Sequence, residues 1–90
     1  MKVIISDDAA DDIEHIFAWI AKDNPVFAIQ LIRNIRGRIG RLETPGLSYM
    51  GRLGQIAGTR ELVESTYIIV YAVGKREITI LAVLHTAQDR

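Results

Sequence analysis

Apolar and polar positions change their spacing twice along this chain, and each change marks a boundary. Residues 2–5, Lys-Val-Ile-Ile, form a short β-branched run, followed by Ser6, Asp7 and Asp8, an N-cap with negative charge at the positive end of a helix dipole. Ala9, Ile13, Ile16, Phe17 and Ile20 then recur at intervals of three and four, predicting a helix to about Lys22 with Trp19 bordering its apolar stripe. Asp23-Asn24-Pro25 supplies a stop, a cap and a proline suited to the first position of a second helix. In that helix Ala28, Ile32, Ile35, Ile39 and Leu42 form a seam able to pack on the first helix and on a sheet. Gly37 and Gly40 weaken its last turns, serving either a close helix approach or a flexible end.

No period is sustained over residues 43–58, where Thr44-Pro45-Gly46 and glycines 51, 54 and 58 predict a long surface loop. Beyond it the spacing becomes that of strands at Thr59–Val63, Tyr67–Val73 and Glu77–His85, separated by Glu64-Ser65-Thr66 and Gly74-Lys75-Arg76. The expected fold is a single α+β domain over residues 1–90. An N-terminal strand and a helical hairpin pack on a small antiparallel sheet in the order β-α-α-β-β-β. The run Tyr67-Ile68-Ile69-Val70-Tyr71-Ala72-Val73 is apolar almost throughout, which suits a central strand covered on both faces. Two helices cover only one face of so small a sheet. The other face is therefore expected to receive a partner, with curvature over the chain's own loop as the alternative.

Composition narrows the classes. The absence of cysteine excludes a disulfide framework or thiolate cluster and fits a reducing compartment, so the cytoplasm is expected. Neither a signal peptide nor a spanning segment follows Met1-Lys2, and no membrane partner is expected. The net charge is zero but uneven: residues 1–30 carry two basic and six acidic groups, residues 31–60 six and one, residues 61–90 three and four. A neutral total argues against affinity gained by neutralising many phosphates, so no sequence-specific nucleic-acid binding by this chain alone is expected.

Candidate chemistry is sparse. His15 shares helical spacings with Asp8, Asp11 and Asp12, a metal site on paper, but the set faces away from the apolar stripe and lacks a second histidine; a solvated surface is the stronger reading. His85 ends a hydrophobic strand, where an imidazole can serve as acid or base or simply satisfy the backbone. Arg33, Arg36, Arg38 and Arg41 spread around their helix and draw no nucleic-acid groove. Arg52 and Arg60 flank the glycine-rich loop as a local cationic patch, and Arg60 beside Glu61 can equally be an ion pair. No nucleophile elbow, phosphate-cradling glycine motif, zinc helix or calcium loop occurs, and no cofactor or metal is expected.

The order strand, helix, Asp23-Asn24-Pro25, helix and glycine loop is followed by Gly58-Thr59-Arg60-Glu61-Leu62-Val63, Tyr67-Ile68-Ile69-Val70-Tyr71 and Val83-Leu84-His85-Thr86-Ala87-Gln88. It resembles the RelE/ParE toxin family from about Val3 to Gln88, most specifically at Gly51-Arg52 and Gly58 to Leu62. The resemblance implies the toxin of a bacterial type II toxin–antitoxin pair, held inactive by a ParD-like antitoxin that is itself a DNA-binding dimer. The family divides into ribosome-dependent messenger-RNA endonucleases, as in RelE and YoeB, and poisons of DNA gyrase, as in ParE. Nuclease members commonly carry a catalytic arginine two residues before the Val-Tyr of the central strand, where this chain has Ile68. They also tend to place basic or tyrosine groups at the C-terminus, where Thr86, Ala87, Gln88, Asp89 and Arg90 stand here. The ParE branch is therefore expected, without catalysis by the chain itself. The alternative is an mRNA interferase using Arg60 and His85. Target contacts are expected from Arg52, Arg60 and His85, with Glu61 orienting Arg60. Antitoxin contacts are expected from Trp19, Ile35, Tyr67 and Tyr71.

Overall fold

The computed structural model describes residues 1–86. The terminal positions Ala87, Gln88, Asp89 and Arg90, named in the family comparison, lie outside the described residues. Seven elements follow in chain order: β1 (Lys2–Ile5), α1 (Asp7–Ala21), α2 (Pro25–Arg41), β2 (Arg52–Leu53), β3 (Arg60–Glu64), β4 (Tyr67–Val73) and β5 (Glu77–His85).

The helix boundaries follow from their caps. Ser6 Oγ accepts a hydrogen bond from the Ala9 amide at 3.1 Å, and Asn24 Oδ1 accepts from the Phe27 amide at 3.0 Å, with Pro25 opening α2. Each cap satisfies a donor that the first helical turn cannot. The seam of α2 runs through Ala28, Leu31, Ile35, Ile39 and Leu42, all buried; Leu31 takes the central place expected of Ile32, which is only partly buried at its edge. On α1 Ala9 and Ile13 are buried, Ile16 and Ile20 partly so, and Phe17 stands outside the core. Gly37 and Gly40 do not serve a close helix approach: a methyl group added at either would meet nothing within 4 Å. Both sit on the open side of a helix that continues to Arg41.

The sheet order is β1-β5-β4-β3-β2. Three neighbouring pairs are antiparallel, but β1 runs parallel to β5, with Val3 opposite Ile78 and Ile5 opposite Ile80, so the sheet is mixed. The parallel pairing results from the hairpin crossing over the sheet and returning the chain through the far edge strand. Within the expected loop, Arg52 and Leu53 pair with Glu61 and Arg60 and add a fifth, two-residue strand. Two residues are too few for their alternation to show in the sequence.

Leu62, Tyr67, Ile69, Tyr71, Ile78, Ile80 and Val83 meet the helical seam in one core. The opposite face carries Val63, Ile68, Val70, Ala82 and Leu84, cross-strand neighbours outside that core; Ile68 is buried, Val63 exposed and the others half-buried. The face that a hairpin of two helices leaves without helical cover is therefore apolar, as the composition of β4 requires. Between Val70 and Tyr71 the β4–β5 register shifts by one: Val70 pairs with Ala82 but Tyr71 with Ile80, leaving Leu81 as the extra residue. Before this bulge the even positions Ile78 and Ile80 face the helices, and after it the odd positions Val83 and His85 do.

Candidate functional site

Two polar neighbourhoods sit at opposite ends of the sheet. The first surrounds the glycine-rich loop. Gly51 is buried, and its amide donates to the hydroxyl of the fully buried Tyr71 at 3.0 Å. A Cβ at position 51 would lie 2.7 Å from both that hydroxyl and the Glu61 carbonyl oxygen, so only glycine lets the loop close on the ring. Arg60 donates from Nη1 to the carbonyls of Gly51 at 2.8 Å and Tyr49 at 3.3 Å, while its guanidinium lies 4.8 Å from the centre of the Tyr49 ring. Arg52 donates through Nε to Glu61 Oε1 at 3.2 Å and approaches the same oxygen through Nη2 at 3.1 Å, so two guanidinium nitrogens converge on one carboxylate oxygen.

Glu61 therefore holds Arg52, whereas the expectation is that it orients Arg60, which the strand sends to the other face of the sheet. Consecutive strand residues point to opposite faces, and the β3–β4 register puts Arg60 beside Tyr71 on the helical side and Glu61 beside Val70 on the other. The expected trio of Arg52, Arg60 and His85 is dispersed for the same reason. His85 pairs with Tyr67 and Arg60 with Tyr71, four strand positions apart, about 13 Å at strand rise. Arg52 lies across the sheet from Arg60.

The second neighbourhood is a groove of about 600 Å³ lined by Asp12, His15, Ile16, Trp19, Tyr67, Val83, Leu84 and His85. Its floor comes from β4 and β5, where the His85 and Tyr67 rings meet edge to face with centres 5.1 Å apart. Its wall is one stripe of α1, since positions 12, 15, 16 and 19 follow the i, i+3, i+4, i+7 spacing of a helix face. Asp12 joins wall to floor by accepting from the Val83 amide at 2.9 Å. Beyond Ile80 strand β1 has ended, and α1 takes over the free edge of β5. The Ser6 amide donates to the Ile80 carbonyl at 3.0 Å, and Asp12 covers Val83.

Of the residues expected to meet a partner, Trp19 is 70% exposed on the rim of this groove and Tyr67 forms part of its floor. Ile35 and Tyr71 are enclosed in the core and present no surface to an antitoxin, because the helical seam and the glycine loop close over them. Asp12 and His15 belong to the groove and not to a featureless solvated face. Their repeat with Ile16 and Trp19 was the available signal, hidden by their polarity. Among the described residues no group of three histidine or acidic side chains is placed to hold a metal ion, and no helix is long and apolar enough to cross a membrane.

A helical hairpin laid over one face of a five-stranded mixed sheet, with edge strands at β1 and β2 and no arginine–histidine centre gathered among the described residues, has the build of a RelE/ParE-like toxin. The family model for the ParE toxin of type II toxin–antitoxin systems, parDE, matches residues 3–90, and the chain belongs to that family. Among solved structures it resembles one from a chromosomal ParDE toxin–antitoxin system of P. aeruginosa, with a TM-score of 0.85 and 22% identity over 94% of this chain and 95% of that one. It also resembles YafQ of E. coli strain BL21(DE3), with a TM-score of 0.60 and 14% identity over 97% and 94% of the two chains. No curated protein sequence matches the chain.

Proposed function

We propose that this ParE-family toxin acts in the cytoplasm by binding DNA gyrase and holding it in its DNA-cleaved state, and that a cognate ParD-like antitoxin, a DNA-binding dimer, neutralises it. The observation that carries this reading is the dispersal of the polar groups that would cut RNA. Phosphodiester cleavage needs an acid or base and a cation within reach of one phosphate. Here Ile68 takes the place of the central-strand arginine, Arg52 is clasped by Glu61, Arg60 is engaged by two carbonyls on the other face, and His85 lies at the far end of the sheet. What remains is a binding surface, consistent with a protein that biases another enzyme's equilibrium and performs no bond-breaking step of its own. The antitoxin is expected to cover the apolar sheet face and the groove beside α1, by strand addition or helix insertion.

Induced expression without the antitoxin tests this directly. Growth arrest accompanied by cleaved chromosomal DNA is the expected result. Arrest with intact DNA and messages cut within codons, abolished by His85→Ala, would replace the gyrase reading with ribosome-dependent cleavage. Harmless expression would leave a binding module without toxicity.

A further inference from the structure

We propose that the groove between α1 and the end of β5 is a receptor for one cationic side chain, an arginine or lysine carried on an extended segment of a partner protein. It does not depend on whether gyrase is the target. Three features on different elements converge there. The rings of Trp19, Tyr67, His15 and His85 line the groove, and the edge-to-face packing of Tyr67 on His85 holds the floor rigid. Of these, the indole of Trp19 and the phenol of Tyr67 attract a cation by their quadrupoles, and all four rings can cover the aliphatic stem of a long side chain.

The carboxylate is the second feature. One oxygen of Asp12 is engaged by the Val83 amide, which fixes the side chain against the sheet, while the residue lines the groove. An ionised carboxylate accepts at both oxygens, so Asp12 retains capacity for a charge-assisted bond to a guanidinium or ammonium. Third is the surrounding field. Asp7, Asp8, Asp11, Asp12 and Glu14 all lie on α1, and residues 1–30 carry six acidic groups against two basic ones. The indole of Trp19 already draws a cation from within the chain, the Lys22 ammonium at 5.4 Å from its ring centre. A nucleobase would also stack on these rings, but the phosphates it carries would meet the acidic helix, so the charge selects a basic protein segment over a nucleotide.

Trp19 is the sole tryptophan in the chain and stands on the rim, so its fluorescence and its indole N–H resonance report on this groove alone. The purified chain is titrated with N-acetyl-arginine amide, N-acetyl-leucine amide, N-acetyl-glutamate amide and adenosine monophosphate. A saturable response to the arginine compound, at least fivefold tighter than to the other three, is expected. Asp12→Asn keeps an oxygen for the Val83 amide but removes the charge, and is expected to weaken arginine binding about tenfold. Asp11→Asn removes an equal charge outside the groove and is expected to change it less than twofold. Equal binding of leucine, tighter binding of the nucleotide, or equal effects of the two substitutions would overturn the proposal. Should Asp12→Asn lose the folded amide spectrum, Trp19→Leu read at the Val83 amide is the substitute, with unchanged arginine affinity counting against the groove.

Discussion

The glycine-loop end of the sheet and the groove end contain the same kinds of side chain, charged groups beside aromatic rings, but in opposite states of engagement. At the loop end the cations are engaged by the chain itself: Arg60 ties two backbone carbonyls together and the partly exposed Arg52 grips the buried carboxylate of Glu61. At the groove end Trp19 and His15 stand open to solvent, and Asp12 is tied through one bond to the strand beneath. Short motifs of glycine and arginine thus do architectural work here, while the accessible chemistry lies on a helix face whose residues form no compact motif. A cluster of charges next to a loop is a poor guide to function until its partners are known.

The comparison predicts that substitutions at the loop end lower stability, whereas those at the groove end alter binding. Tyr71→Ala is expected to have the largest effect, about 3–5 kcal/mol, because it empties a fully buried site and orphans the Gly51 amide; urea denaturation measures it. Gly51→Ala should cost about 1–3 kcal/mol by pushing the loop off the Tyr71 ring, with faster hydrogen exchange at residue 51 as the local sign. Glu61→Gln, read by thermal unfolding, is expected to lose about 1–2 kcal/mol as the Arg52 fork loses its charged acceptor.

Trp19→Ala should change stability by less than about 0.5 kcal/mol, since the indole is largely exposed, while weakening the complex with the antitoxin in calorimetric titration. Loss of folding in that variant, or intact folding in Tyr71→Ala, would reverse the contrast between the two ends. One further small effect is a gain. Ser65 adopts a φ of 58° in the two-residue β3–β4 turn, and Ser65→Gly should stabilise the hairpin by about 0.5 kcal/mol.

Much of the architecture was legible along the chain. The bounds of β1, β4 and β5 and both helix caps followed from residue type and spacing, because these are local preferences expressed over four or more positions. The mixed character of the sheet and strand β2 did not follow. The direction of β1 against β5 depends on how the hairpin crosses the sheet, and β2 exists because Arg52 and Leu53 find Glu61 and Arg60 across a turn. Neither is encoded in a period. The candidate site was legible only in part: residue type singles out Trp19, Tyr67 and His85 without joining them, and nothing in the spacing shows that Ile35 and Tyr71, expected at a surface, form the core.

What the sequence determined by itself was the set of elements, the apolar helical seam and the aliphatic middle strand without an arginine at position 68. Those features reside in side-chain type and short-range spacing. Only the tertiary structure decided that His85 faces the helices. Continued alternation from Ile78 and Ile80 would send residue 85 to the opposite face, and the single extra residue at Leu81 reverses that parity. Because a strand's two faces exchange with every one-residue shift, one bulge moved the imidazole into the groove with Tyr67, Asp12, His15 and Trp19.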